Sequence, residues 1–217
     1  MKSENRMDIG SKDLYWIGIA GLPGSGKTTT AKNYVATLLK QGISAVHVPM
    51  DGYHYSRAQL DGFENPALAH ERRGAPFTFN GQQLLEDIQT CIAKGSFAFP
   101  SFDHALKDPV AGDIVVDSKI QKVVVMEGNY LLLANFEPWP KISSFFDETW
   151  FIATPIEVAC ERLARRHQQA WGWPLEECIE RVKNSDLLNM HIILENKIQP
   201  DKVIHNDDHQ SVSGTDC

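Results

Sequence analysis

Short apolar runs alternate along the chain with stretches whose apolar residues recur every three or four positions. Residues 14–20 (LYWIGIA) end at Gly21 and have the pattern of a strand buried on both faces. A glycine-rich turn follows. Thr28–Lys40, with Tyr34, Val35, Leu38 and Leu39 at helical spacing, is then predicted as a helix closed by Gly42. Residues 43–49 (ISAVHVP) make a second strand. From Asp51 to Asn80 the pattern breaks into polar, aromatic and Gly/Pro-containing stretches, and an irregular segment of that length is the mark of a functional loop or lid.

Helical spacing returns over Gln82–Lys94 (Leu84, Leu85, Ile88, Ile92) and stops at Gly95. Residues 97–102 and 113–116 read as short strands, and 122–126 (KVVVM) and 149–153 (TWFIA) as continuous apolar ones. Helices are predicted over 155–169 and 174–193, a last strand over Lys202–Ile204, and a polar, loose tail over Asn206–Cys217. Strands and helices alternate and the strands are apolar on both faces. The expected fold class is therefore α/β, a buried parallel sheet flanked by helices.

Composition narrows the function classes. With 217 residues, 42% of them hydrophobic, the chain can bury a real core, and its length suits one domain with a small lid. The reading is a single domain over 1–217, with a polar extension over residues 1–13 and the loose tail from 206. Twenty-one Lys and Arg against 28 Asp and Glu give a formal charge of −7, which argues against a nucleic-acid partner. The same balance makes a tight Arg cluster informative. The four cysteines, Cys91, Cys160, Cys178 and Cys217, form no CxxC pair, so neither a disulfide framework nor a zinc site is indicated. No apolar run approaches the roughly 20 residues that span a bilayer, and Met1–Arg6 carries no signal-peptide core. A cytoplasmic protein with no membrane partner is expected; a homodimer is left open.

Gly21-Leu22-Pro23-Gly24-Ser25-Gly26-Lys27-Thr28, followed by Thr29, matches GxxxxGK[ST] between a predicted strand and a predicted helix. Glycines let backbone N–H groups turn inward around phosphate oxygens. Lys27 adds a point charge at the β/γ-phosphates and Thr28 a hydroxyl for Mg²⁺. The expected cofactors are ATP, with GTP not distinguished, and Mg²⁺.

Three further features point to phosphoryl transfer. Asp51 lies just past the second strand, where a carboxylate can orient or deprotonate an attacking hydroxyl, or simply cap the turn before Gly52. Glu127 ends the apolar run 122–126, where it either holds the metal beside Thr28 or reaches solvent. Arg162, Arg165 and Arg166 lie at i, i+3 and i+4 and suit a transferring phosphoryl group, although Glu161 and Arg165 also make a good surface pair. His47 and His191 lie on apolar elements and read as core histidines.

With these residues assembled, the chain resembles the phosphoribulokinase/uridine kinase family of P-loop kinases over about Ile17 to Ile204. The resemblance is carried by IAGLPGSGKTT, MDGYHY, RRGAPFTF, PSFDHALKDPV, MEGNYLLL, RLARRH and DKVI. It implies a P-loop NTPase sheet with a small lid, whose tip would be Trp171-Gly172-Trp173-Pro174. It also implies Asp51 as the base, Glu127 near the metal, and Arg162 and Arg165 as phosphate-touching lid arginines, with Arg166 beside them. Asn184-Ser185-Asp186-Leu187-Leu188-Asn189 departs from the family's Asn-Asp…Pro-Asn pattern.

Acceptor contacts are expected from the long loops, with His54, Tyr55, Arg72, Arg73, Phe102, Asp103, His104 and Lys107 as candidates. Phe102 and His104 fall where uridine kinases place base-contacting side chains, which favours a nucleoside. Arg72 and Arg73 suit an acceptor carrying a carboxylate or phosphate. The expected partner is a small molecule with a hydroxyl group, uridine before pantothenate or a sugar. A nucleotide-dependent switch acting through a partner protein is the alternative from another class.

Overall fold

The computed structural model describes residues 12–207 except His104. Its five-stranded parallel sheet has the order β2-β5-β1-β6-β7, built from β1 (Tyr15–Gly21), β2 (Ala45–Pro49), β5 (Val123–Gly128), β6 (Glu148–Ala153) and β7 (Lys202–His205). In register, Ile17 of β1 lies between Val125 of β5 and Glu148 of β6. Alternate residues feed two cores, as a strand's two-residue period requires. Ile17, Ile19, Val123, Val125, Trp150 and Ile152 pack with Ala31 and Leu38 of α1 (Lys27–Lys40). Trp16, Val124, Met126 and Phe151 join the larger core on the other face.

β3 (Ser96–Asp103) and β4 (Asp108–Asp117) depart from the expectation of one sheet. They pair antiparallel as a separate hairpin, with Ser96 opposite Asp117 and Asp103 opposite Asp108. β4 begins five residues earlier than its apolar part, because ladder pairing, not hydrophobicity, defines its exposed half. The hairpin approaches the end of β2 closely. A Cβ on Gly52 would lie 2.3 Å from the carbonyl oxygen of Pro100, so only glycine fits after Asp51.

The irregular stretch after β2 holds a 3-10 turn (Met50–Tyr53), α2 (Arg57–Leu60), α3 (Pro66–Glu71) and a second 3-10 turn (Pro76–Thr78). Ser56 and Gln59 cap α2 reciprocally, and Asn65 with Pro66 starts α3. Helices of four and six residues are too short to show a period, so the sequence reads as loop there. α4 (Gly81–Lys94) ends at Gly95 in the left-handed region, as expected, and α5 (Trp139–Ser143) follows β5. α6 (Ile156–Trp171) runs to Gly172, and α7 (Leu175–Arg181) starts after Pro174, so Trp171–Pro174 forms the turn between them. The helix expected over 174–193 is interrupted by a wide π turn, Val182–Asp186, before α8 (Leu187–Asn196). His191 is exposed on α8 and is not a core histidine. Among the described residues no helix is long and apolar enough to cross a membrane.

Candidate active site

The turn between β1 and α1 presents bare backbone donors. Gly26 is the N-cap of α1 at φ 87° with no side chain capping it, which leaves the helix N-terminus open to an anion. Gly24 sits at φ 82°, and a Cβ there would meet the Ala159 carbonyl at 2.3 Å, so glycine is required on both counts. Leu22 and Pro23 are buried beneath the turn, and the Ser25 N–H donates to the Leu22 carbonyl at 3.0 Å. The buried hydroxyl of Ser25 has no hydrogen-bond partner.

Lys27 is 9% exposed. Burial lowers its pKa from the ordinary 10.5; the Glu127 and Asp51 carboxylates push it back up, and Arg166 lowers it further. The charges of those three groups therefore reach one ammonium. Thr28 Oγ1 donates to Glu127 Oε1 at 3.0 Å, and Glu127 is 3% exposed at the end of β5. Thr29 lies exposed on the next position of α1. The residues present fit a magnesium ion bound jointly with phosphates: a hydroxyl and a buried carboxylate are hard oxygen donors. Among the described residues no three His, Cys, Asp or Glu side chains gather to hold a metal by themselves.

The arginines divide. Arg166, exposed on α6, is near enough for its charge to act on Lys27. Arg162 Nη1 lies 3.5 Å from the Asn206 carbonyl, beside the same loop. Arg165 is not brought there: its guanidinium donates to Glu161 at 3.2 and 2.9 Å with both side chains about half exposed. On a helix Arg162 and Arg166 point within about 40° of each other, whereas Arg165 points about 100° from Arg166 and is held by its own pair with Glu161.

Asp51 is the second residue of the 3-10 turn after β2, and its carbonyl takes the His54 N–H at 3.1 Å and lies 2.9 Å from His54 Nδ1. The His54 ring packs on Phe79 at 3.9 Å and on Phe102 at 5.0 Å between centroids. Tyr55 packs edge-on against Phe63. Arg73 is a strut rather than an open cation. It donates to the carbonyls of Lys107 (2.6 Å) and Tyr55 (2.9 Å) and to Asp108 (2.9 Å), and lies over Phe102. Lys107, at φ 59°, reaches over Trp171, and Asp103 accepts the Ala105 and Leu106 N–H groups at the hairpin tip. His104 lies outside the described residues. Arg72 donates through Nη2 to Asn189 Oδ1 at 3.0 Å while its buried Nε has no partner.

Three residues of this region were not singled out from the sequence as site residues. Tyr130, fully buried, donates its hydroxyl to the Gly74 carbonyl. Burial raises its pKa, Asp186 and Asp51 add to the rise and Arg72 opposes it, so Tyr130 stands among these three charges. Asn189, 1% exposed, orients Arg72. Asn206, expected as the start of the loose tail, is instead hydrogen-bonded to Ser25 and Ala153; the rest of that tail, from 208, lies outside the described residues. The signal for Tyr130 was its place three residues past Glu127. The signal for Asn189 was its place as the final Asn of the 184–189 segment, whereas Asn206 has none.

No protein-family model matches the chain. A Schizosaccharomyces pombe protein with a provisional uridine kinase name is 37% identical over 193 residues, covering 87% of this chain and 81% of its own length. The ATP-dependent kinase-like protein notR' of Aspergillus versicolor is 40% identical over 162 residues, covering 71% of this chain and 92% of its own. A protein of Silicibacter sp. TM1040, provisionally named a fructose transport system kinase, has a solved structure that matches with a TM-score of 0.80 at 28% identity. The match covers 88% of this chain and 89% of that one.

Proposed function

Because this chain belongs to the phosphoribulokinase/uridine kinase family of P-loop kinases, we propose that it moves the γ-phosphoryl group of ATP to a hydroxyl of a small metabolite. The observation that carries this reading is the placement of two carboxylates about Lys27: Glu127 is tied to Thr28, and Asp51 stands at the end of β2 on the side of the long loops. A switch needs the first but has no use for the second.

In this mechanism the loop N–H groups and Lys27 bind the phosphates. Thr28 and Glu127 would hold a magnesium ion, which would supply charge neutralisation for the bound phosphates. Asp51 accepts the acceptor's hydroxyl proton or orients its lone pair for in-line attack. Arg166, with Arg162 beside it, stabilises charge on the group in transit. The α6–α7 turn acts as the lid that closes over the site and excludes water that would otherwise take the phosphoryl group.

A nucleoside such as uridine is the first acceptor to test, supported by the aromatic wall of His54, Phe79 and Phe102, which suits a planar base. One observation favours a second reading. The buried, unpartnered Nε of Arg72 suits an acceptor bearing a carboxylate or phosphate, as in pantothenate or an acidic sugar derivative.

The test is ADP release with Mg-ATP across uridine, cytidine, pantothenate, fructose, glycerate and no acceptor, with Asp51→Asn in parallel. Turnover with one acceptor, reduced about 100-fold or more in the variant, is expected. Equal slow hydrolysis in every well would overturn the kinase reading in favour of a nucleotide switch.

A further inference from the structure

His47 is placed where a core histidine would be idle. It lies on β2 opposite Val125 of β5, and Pro49, two residues on, lies opposite Glu127. Side chains two apart on a strand share a face, so His47 and Glu127 project toward the same side of the sheet, the side covered by α1. Its Nε2 is buried and has no hydrogen-bond partner, and it lies 3.6 Å from Glu127 Oε1. The side chains are 16% and 4% exposed, so little water is at hand to replace a missing partner.

A buried ring nitrogen without a partner keeps the cost of its lost hydration uncompensated. The one anionic oxygen beside it is slightly beyond hydrogen-bonding reach. A side-chain adjustment of a few tenths of an ångström closes that gap. The same Oε1 already accepts the Thr28 hydroxyl at 3.0 Å. Two donors on one oxygen, from α1 and from β2, fix the plane of the carboxylate and leave Oε2 as its available oxygen. Carboxylates that serve a metal are commonly held this way, by hydrogen bonds from behind.

We propose that His47 is a positioning residue for Glu127: its Nε2–H donates to Oε1 and, with Thr28, holds the carboxylate in the orientation that receives the divalent cation accompanying the nucleotide. This requires the tautomer protonated at Nε2. The proposal rests on the phosphoryl-transfer reading of the site, so its test separates the two.

Binding of a fluorescent ATP analogue is measured without metal and across a Mg²⁺ titration, in the wild type, His47→Leu and His47→Gln, together with melting temperatures. His47→Leu is expected to raise the Mg²⁺ concentration for half-maximal effect by about 10-fold or more, with metal-free binding within about two-fold of wild type. His47→Gln, whose amide can reach the position of Nε2, is expected to recover most of the loss. Should His47→Leu melt too early, His47→Asn carries the same test, because it keeps a polar group but is too short to reach Glu127. Equal Mg²⁺ dependence in all variants, or equal loss of metal-free and metal-assisted binding, would overturn the proposal. A wild type that binds the analogue without any Mg²⁺ dependence would overturn the reading of the site itself.

Discussion

The side-chain amide of Asn206 donates to the main-chain carbonyl of Ser25 at 2.7 Å, joining the segment after the last strand to the turn after the first. Asn206 is itself fixed from three directions. Its N–H reaches the Ala153 carbonyl at 2.9 Å, and its own carbonyl faces the Thr154 hydroxyl at 3.2 Å and Arg162 at 3.5 Å. Ser25 also receives the Thr154 hydroxyl at 3.2 Å. The phosphate loop is thus fastened from the ends of β6 and β7, and the same fastening carries Arg162.

Asn206→Ala is therefore expected to weaken nucleotide binding. Loss of one such hydrogen bond is worth about 1 kcal/mol, or roughly five-fold in affinity. The readout is the rise in melting temperature on adding Mg-ATP, which should shrink relative to wild type.

The division of the arginines predicts unequal effects. Arg166→Ala should lower kcat by roughly 10²- to 10³-fold, the usual effect of removing a charge-stabilising donor from a transition state. Arg165→Ala removes an exposed pair with Glu161 and should leave kcat within about three-fold. Steady-state kinetics on the two variants checks this. Equal losses would mean that lid closure swings Arg165 away from Glu161 and onto the phosphates.

Arg73 and Arg72 are adjacent but should fail differently. Arg73→Ala removes three hydrogen bonds, two joining the loop after β2 to the hairpin and one within that loop, and leaves Asp108 with the Arg57 N–H as its remaining partner among the contacts described. A loss of about 2–4 kcal/mol in chemical denaturation is expected. Arg72→Ala removes one bond to Asn189 and should be read chiefly in the acceptor KM.

Alkaline stability should depend on Cys91. Burial raises its thiol from 9.0 to about 11. A group whose folded pKa lies above its unfolded one stabilises fully below the unfolded value, and that contribution disappears as pH rises through the folded value. Stability should fall between pH 9 and about 11, by about 2 kcal/mol from this group. Cys91→Ala should flatten that part of the profile in denaturation experiments, at the cost of some packing.

The phosphate loop, Asp51 and Glu127 were legible in the sequence because each is a local event. A glycine-rich turn between an apolar run and a helical period, or a carboxylate ending such a run, has its meaning in a few consecutive residues. The parallel sheet was legible for the same reason, since strands buried on both faces must be continuously apolar. Both strands of the hairpin β3–β4 were legible, but not their pairing as a separate antiparallel sheet, because a ladder half exposed to solvent leaves a weaker mark. Which arginine is drawn away by Glu161, how Asn206 grips Ser25 and how His47 stands by Glu127 belonged to the tertiary structure alone. These contacts join residues as far as 181 positions apart. A side chain's partner at that separation is set by strand order and helix rotation, which no local pattern of polar and apolar positions encodes.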